Sequence, residues 1–299
     1  MTGRILQRRA PRRQTLHFLV GSTAFMVLGT GIRSLRATAL GTVPPPPPLP
    51  ATPTPVPTPT APSVYTVVAP GLSREEATPP PPTPAPQPDV RFDAPATFNM
   101  GDPEADRVYL TIDDCWSPSL VSQALEKADR AGAHLTFFPV GTVVERDRSL
   151  WREVLERGHA VENHTRTHRS LTALDDRELR DEITSPRATI EDLSDGRYRQ
   201  CFLRPPGGSG GKDARVVAAA KNLGFKVALW SADSNGWRVY PRADTGAVEF
   251  VLDNVFRHFR RGAIVIQHAV PADIAALAEI LAEAGRRGFE CASLPEGIA

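Results

Sequence analysis

A chain of 299 residues with 35 basic and 34 acidic side chains carries a formal net charge of only +1, so it lacks the dense cationic field that a nucleic-acid backbone demands. Its 30 prolines are too clustered for one uniform fold, since 19 of them lie between Val43 and Pro88. Three well-separated cysteines, Cys115, Cys201 and Cys291, form no C-x-x-C pair, so one disulfide at most can form and a thiol is left over.

The first forty residues hold seven arginines and no acidic residue, and an apolar stretch runs from Leu16 to about Ile32. A basic segment ahead of an apolar one directs export, so residues 1–42 read as a signal peptide or a retained N-terminal membrane anchor. Ala37-Thr38-Ala39 supplies a small-x-small cleavage site, whereas Arg33 and Arg36 beside it suit retention, and both outcomes stay open. Arg12-Arg13 ahead of the apolar run adds a weak twin-arginine signal. Residues 43–89 form a Pro-rich linker that buries too little apolar surface to fold, and polyproline II extension makes it a semi-rigid spacer. Residues 90–299 remain as one folded domain, mildly acidic with 27 basic and 31 acidic residues.

Within that domain, strand-length apolar runs alternate with helical periodicity. RVYLTI is a predicted strand and SLVSQALEKADRAG a helix ending at Gly132; AHLTFFPVG, SLWREVLERG and HAVENH follow as strand, helix and short strand. LDDRELRDEITSPRATIEDL has helical spacing that Pro186 is expected to kink or interrupt. CFLRPPGG, DARVVAAAKNLG, FKVALWSAD, VEFVLDNVFRHFRRG, AIVIQH and DIAALAEILAEAGRRG continue the alternation to a last strand around FECAS. Repeated βα units predict an α/β fold with a largely parallel sheet closed into a distorted, TIM-like (β/α)7-8 barrel. Asp113, Asp114, His164, Arg204, Asp233 and His268 all fall at or just beyond the C-terminal ends of predicted strands, the rim where such barrels gather their chemistry.

Each of these residues also has an unremarkable reading. His164 and His168 are four apart, so a helical turn would aim both at one point, where a carboxylate from elsewhere would complete a metal site with room for water; the alternative is a surface or capping role. Asp113 could cap the following helix while Asp114 is solvated, or one carboxylate could bind a cation while its neighbour stays free as a base. Arg204 opens RPPGG either as a structural turn residue or as a partner for a catalytic carboxylate, with glycine N–H groups free to face an oxyanion. Asp233 and Trp237 suit turn and packing roles, and His268 a satisfied core position.

Taken together, the stretches TIDDC, HTRTH, RPPGG, DSNGW and IQH resemble the five ordered motifs T-F-D-D-G, H-[ST]-x-x-H, R-P-P-[YFHG]-G, D-x-x-D-W and L-x-H of the NodB-homology polysaccharide deacetylases, carbohydrate esterase family 4. The likeness covers about residues 106–294. It implies that Asp114, His164 and His168 bind a divalent metal, zinc or alternatively cobalt or another divalent ion. It further implies Asp113 as general base held by Arg204, His268 as general acid tuned by Asp233, an oxyanion donor near Gly207, and Trp237 with Ile266 around the acetyl methyl. The implied partner is an N-acetylated polysaccharide; with the export signal and spacer, the resemblance suggests peptidoglycan at the cell wall, reached by a secreted or membrane-anchored monomer. An O-acetyl polysaccharide esterase and a catalytically weak glycan-binding domain are the alternatives. Cys115 in place of the motif glycine and Gly236 in place of the second aspartate of D-x-x-D-W are the departures that motivate the latter. The thiol is expected to pack, the other outcomes being a crowded turn or an extra soft ligand.

Overall fold

A computed structural model describes residues 95–298. The expected signal or anchor and the proline linker lie outside the described residues. The described residues form nine strands, β1 (Thr97–Phe98), β2 (Arg107–Asp114), β3 (Thr136–Pro139), β4 (Ala160–Val161), β5 (Phe202–Leu203), β6 (Lys226–Ala228), β7 (Ala232–Asp233), β8 (Ile264–His268) and β9 (Glu290–Cys291), and every ladder among them is parallel. One sheet has the order β4-β3-β2-β8-β7 with β9 also on β2, and the other runs β1-β6-β5. A parallel bridge between Asn163 and Leu203 links them on one side. On the other side the run Lys226–Asp233 pairs with β5 at its start and with β8 at its end, so the ring closes across a break at residues 229–231. FKVALWSAD therefore gives two short strands where the sequence predicts one.

Helices α1 (Pro118–Ala131), α2 (Gly141–Arg146), α3 (Arg148–Glu156), α4 (Asp176–Leu193), α5 (Ala214–Asn222), α6 (Thr245–Phe256), α7 (Pro271–Arg286) and α8 (Leu294–Gly297) connect or follow the strands. Local chemistry sets their ends. In α1, Pro118 opens the first turn and Gly132 closes the helix at φ +62°, a conformation that glycine adopts without a Cβ penalty. In α4, Asp175 accepts from the Glu178 N–H at 2.7 Å while Glu178 reaches back to the Asp175 N–H at 3.2 Å, a reciprocal cap. Of the two outcomes expected of Pro186, interruption does not occur, and the carbonyl that it deprives of a partner finds one elsewhere, as described below.

Strand alternation divides the core. Leu110 and Ile112 of β2 face out into the large cluster shared with α1, α6 and α7, whereas Tyr109 joins Phe138, Phe202, Ala228 and Ile264 in a smaller inner cluster. The period of two puts Thr111 and Asp113 on the same inner face as Tyr109, which carries Asp113 to the C-terminal mouth of the ring. No helix among the described residues is long and apolar enough to cross a membrane.

Candidate active site

Asp113 ends β2 at 2% exposure, beside His268 across the ladder to β8. A carboxylate buried this deeply needs a partner, and Arg204 is it. The guanidinium is itself fully buried, donating to Asp113 Oδ1 at 2.7 Å, Thr111 Oγ1 at 2.6 Å, the Ala228 carbonyl at 3.1 Å and the Leu229 carbonyl at 3.3 Å. It lies over the Phe138 ring with its central carbon 4.0 Å from the centroid. Burial lowers the arginine from its ordinary pKa while Asp113 works to raise it. The capping role considered for Asp113 is absent, since α1 is capped by Ser117 without a side-chain bond.

Asp114, His164 and His168 converge, with one ligand atom from each all within 4.8 Å of one another. The expected helical turn over HTRTH is not what brings the imidazoles together. The segment is irregular, with Thr165 and His168 at φ +66° and +63°, and the two rings meet at 5.0 Å between centroids. Left-handed non-glycine residues cost roughly 1–2 kcal/mol each and persist only when surroundings enforce them. Three supports do so. Asn163 Oδ1 accepts from the Thr165 N–H at 2.9 Å, the Thr165 hydroxyl accepts from the His168 N–H at 3.1 Å, and Glu182 of α4 accepts from both the N–H (2.8 Å) and the hydroxyl of Thr167. The Glu182 main-chain carbonyl also takes the Arg166 N–H at 2.9 Å. That carbonyl is free because its helical donor would be residue 186, a proline without an N–H.

His164 Nδ1 is 2.7 Å from the Arg204 carbonyl, which can only accept, so Nδ1 carries the proton and Nε2 presents a lone pair. That lone pair faces Asp114 Oδ1 at 3.2 Å, and His168 Nε2 faces the same oxygen at 3.0 Å. Electron-rich atoms so placed call for a positive charge between them, which a proton or a divalent cation supplies; two imidazole nitrogens and a carboxylate oxygen are a suitable donor set for the latter. Burial works to raise the Asp114 carboxyl, but with no metal bound the two imidazoles, when protonated, outweigh it and hold the group well below the usual carboxylate range. His168 is raised, chiefly by its bond to Asp114.

The remaining predicted residues are less tightly knit. His268 ends β8, and its Nδ1 is buried without a hydrogen-bond partner. Asp233, assigned to tune it, instead accepts from the Asn235 N–H at 2.8 Å. The carboxylate that bonds His268 belongs to Asp273 of α7, whose Oδ2 accepts from the His268 main-chain N–H at 2.7 Å. Ile266 is buried in β8 between Thr111 and Asp233, and Trp237 is 52% exposed with the Arg238 guanidinium 5.1 Å from its ring. Gly207, at φ +60°, opens onto a cleft of about 480 Å³ shared with Thr97, Asn99, Lys212 and Trp230. Cys115 packs as expected: it is fully buried, its Sγ donates to the Ile112 carbonyl at 3.5 Å and lies outside the converging donor group, and burial holds the thiol well above its ordinary pKa. All three cysteines are free. Sequence reasoning missed Thr111, Asn163, Glu182 and Asp273. Only Asn163 and Thr111 carried a signal, as neighbours of motif residues in a buried run.

A parallel α/β ring whose mouth gathers a bis-histidine–carboxylate cluster, a buried aspartate–arginine pair and a histidine on the neighbouring strand has the makings of a metal-dependent barrel hydrolase. The sequence profile of the polysaccharide deacetylase family matches residues 100–228. A peptidoglycan-N-acetylglucosamine deacetylase of Bacillus cereus is 32% identical over 195 residues, covering 63% of this chain and 86% of its own. A chitooligosaccharide deacetylase of a Bradyrhizobium species is 32% identical over 215 residues, covering 66% and 94%. A solved structure of a CE4 family pseudoenzyme from Bacillus anthracis superposes with a TM-score of 0.62 at 24% identity, covering 69% of this chain and 70% of that one, and shares the fold. The chain belongs to the polysaccharide deacetylases, carbohydrate esterase family 4.

Proposed function

We propose that this protein is a metal-dependent deacetylase that removes N-acetyl groups from an extracytoplasmic glycan, with peptidoglycan N-acetylglucosamine or related amino sugars as substrate. The observation that carries the reading is the juxtaposition of the Asp114–His164–His168 cluster with the buried Asp113–Arg204 pair. A divalent cation held by the three ligands, with zinc the best match to their donor types, would supply Lewis acidity toward the acetyl carbonyl and make water easier to deprotonate. Asp113 takes the proton of the attacking water, its orientation fixed by Arg204 and its neighbour Thr111. His268 gives a proton to the departing amine nitrogen, without which amide cleavage stalls on a poor leaving group. The main-chain N–H groups near Gly207 face the developing oxyanion, and Ile266 and Trp237 bound the acetyl methyl. Residues 1–42 as leader or anchor and 43–89 as spacer would present a monomeric domain to the wall.

The test is acetate release from N-acetylglucosamine oligomers and purified peptidoglycan by the full chain with added zinc or cobalt, beside Asp113→Asn. Metal-dependent release that falls about 10²–10⁴-fold in the variant is the expected result. Release from O-acetylated but not N-acetylated glycan would move the assignment to an esterase. Binding without release of acetate from any of them would make the domain a glycan-binding pseudoenzyme.

A further inference from the structure

Position 236, where the fourth motif has its second aspartate, is a glycine, and it is buried. The space above its Cα is not empty. A Cβ built on Gly236 would lie 2.2 Å from Asp273 Oδ1, 2.4 Å from Cγ and 2.7 Å from Oδ2, so the Asp273 carboxylate fills the place that any side chain at 236 would need. Asp273 comes from elsewhere in the chain, the first turn of α7, and is fully buried. One of its oxygens is bonded to the His268 main-chain N–H, and its main-chain carbonyl accepts from Gln267 Nε2 at 3.2 Å, tying α7 to the end of β8. The other oxygen, Oδ1, makes no hydrogen bond of good geometry, although the Ser234 hydroxyl is near enough to act on the carboxyl, and His268 Nδ1 makes none either. Two buried polar atoms without a hydrogen bond thus sit on two residues already joined by a main-chain one; the ring and the carboxylate form no ion pair as they stand, so pairing them requires the imidazole to turn toward α7. Each costs about 1–3 kcal/mol left alone, and pairing them removes both costs.

We propose that Asp273 is the positioning carboxylate for His268, entering from α7 the space vacated at Gly236 and accepting from imidazole Nδ1–H so that Nε2 faces the departing amine. The inference rests on the reading of His268 as the proton donor. It replaces Asp233 in that role, consistent with the Asp233 carboxylate being spent on the Asn235 N–H. The charged groups around the pair fit it. Asp233 on β7 raises the Asp273 carboxyl, Asp113 on β2 lies beside His268 in the ladder, and among the described residues no lysine or arginine acts on Asp273. Burial accordingly pushes Asp273 up to about 7, with the His268 N–H and the Ser234 hydroxyl working against that rise. An imidazolium beside it would favour both charged forms together.

The test compares the full chain with Asp273→Asn, Asp273→Ala and the swap Gly236→Asp/Asp273→Ala. Three quantities are read: melting temperature, the His268 ring titration by NMR in metal-free protein (its signal identified by loss in His268→Gln), and the pH profile of acetate release. Expected for Asp273→Asn are a folded protein, a His268 pKa lower by about 1 pH unit, and kcat reduced about 10–100-fold with KM little changed, its alkaline limb moved down by the same unit. Gly236→Asp alone should fold poorly because of the 2.2 Å overlap, whereas the swap returns a carboxylate to the same space and recovers most of both readouts. An unmoved His268 titration in Asp273→Asn, or a swap that melts and titrates like Asp273→Ala, overturns the proposal and leaves Asp273 as a main-chain tether. If the wild-type chain releases no acetate, the deacetylase reading fails, and the metal-free titration still decides the contact.

Discussion

Replacing Arg204 with methionine is the sharpest probe of the site, because it keeps an unbranched chain of similar reach while deleting the charge. The guanidinium hydrogen bonds to Asp113, Thr111 and the carbonyls of Ala228 and Leu229 all go, and Asp113 stays 2% exposed with no cation against it. Breaking a buried pair from one side costs about 3–5 kcal/mol, since the remaining charge is neither solvated nor compensated. Over roughly 200 folded residues each kcal/mol lowers the melting point by about 2–4 °C, so the loss is about 6–20 °C. Asp113→Asn/Arg204→Met removes the stranded charge as well and should recover at least half of the deficit, replacement of a whole pair being commonly near neutral. Urea denaturation followed by circular dichroism, with a chelator present so that metal binding does not enter, measures both. Arg204→Met within about 1 kcal/mol of wild type, or a double variant no more stable than the single one, would refute the claim that this pair is buried and mutually dependent.

The metal cluster should depend on α4. Glu182→Ala removes the acceptor for Thr167, and zinc affinity measured by competition with a chromogenic chelator should fall about 10–100-fold. Pro186→Ala returns an N–H to the helix to compete with Arg166 for the Glu182 carbonyl, and a smaller loss in the same assay is expected. His159 gives a pH test. Its Nδ1 accepts from the Leu135 N–H, and burial lowers it from 6.5 to about 4, so between those values the unfolded chain binds more protons than the folded one. Stability therefore falls as the pH drops through that window, by about 3 kcal/mol at most, and His159→Gln should flatten this slope in urea titrations at pH 6.5 and 4.5. Cys115 should resist alkylation in the native protein at pH 8 and react once the chain is denatured, when all three thiols are open; rapid native labelling of Cys115 would contradict its buried, protonated state.

The kinds and order of the elements were legible in the sequence because hydrophobic periodicity is local: β2 and β8 are buried on both faces and read as unbroken apolar runs, and α1 and α4 carry their own end signals. The same locality made the rim legible, since a polar residue after an apolar run marks a strand end. It could not supply strand lengths: β4, β5 and β7 shrink to two residues because ring curvature, set by neighbours distant in the chain, breaks their ladders.

Asp113, Asp114, His164, His168 and Arg204 were all readable from three of the five short motifs, and the structure brings them together. What the sequence could not decide was how. Two histidines four apart suggested a helical turn, whereas left-handed Thr165 and His168, in a loop clamped at Thr167 by Glu182, 14 positions beyond His168, do the work. Asp273 looked like an ordinary acidic residue in a first helical turn, and the glycine at 236 looked like a loss. The resemblance carried by five ordered motifs thus pointed to the family and the donor types, and local periodicity to the rim, all of which depend on residues close in sequence. Only the tertiary structure decided which carboxylate meets which imidazole, because a hydrogen bond forms between whatever groups packing brings within about 3 Å, whichever element they come from.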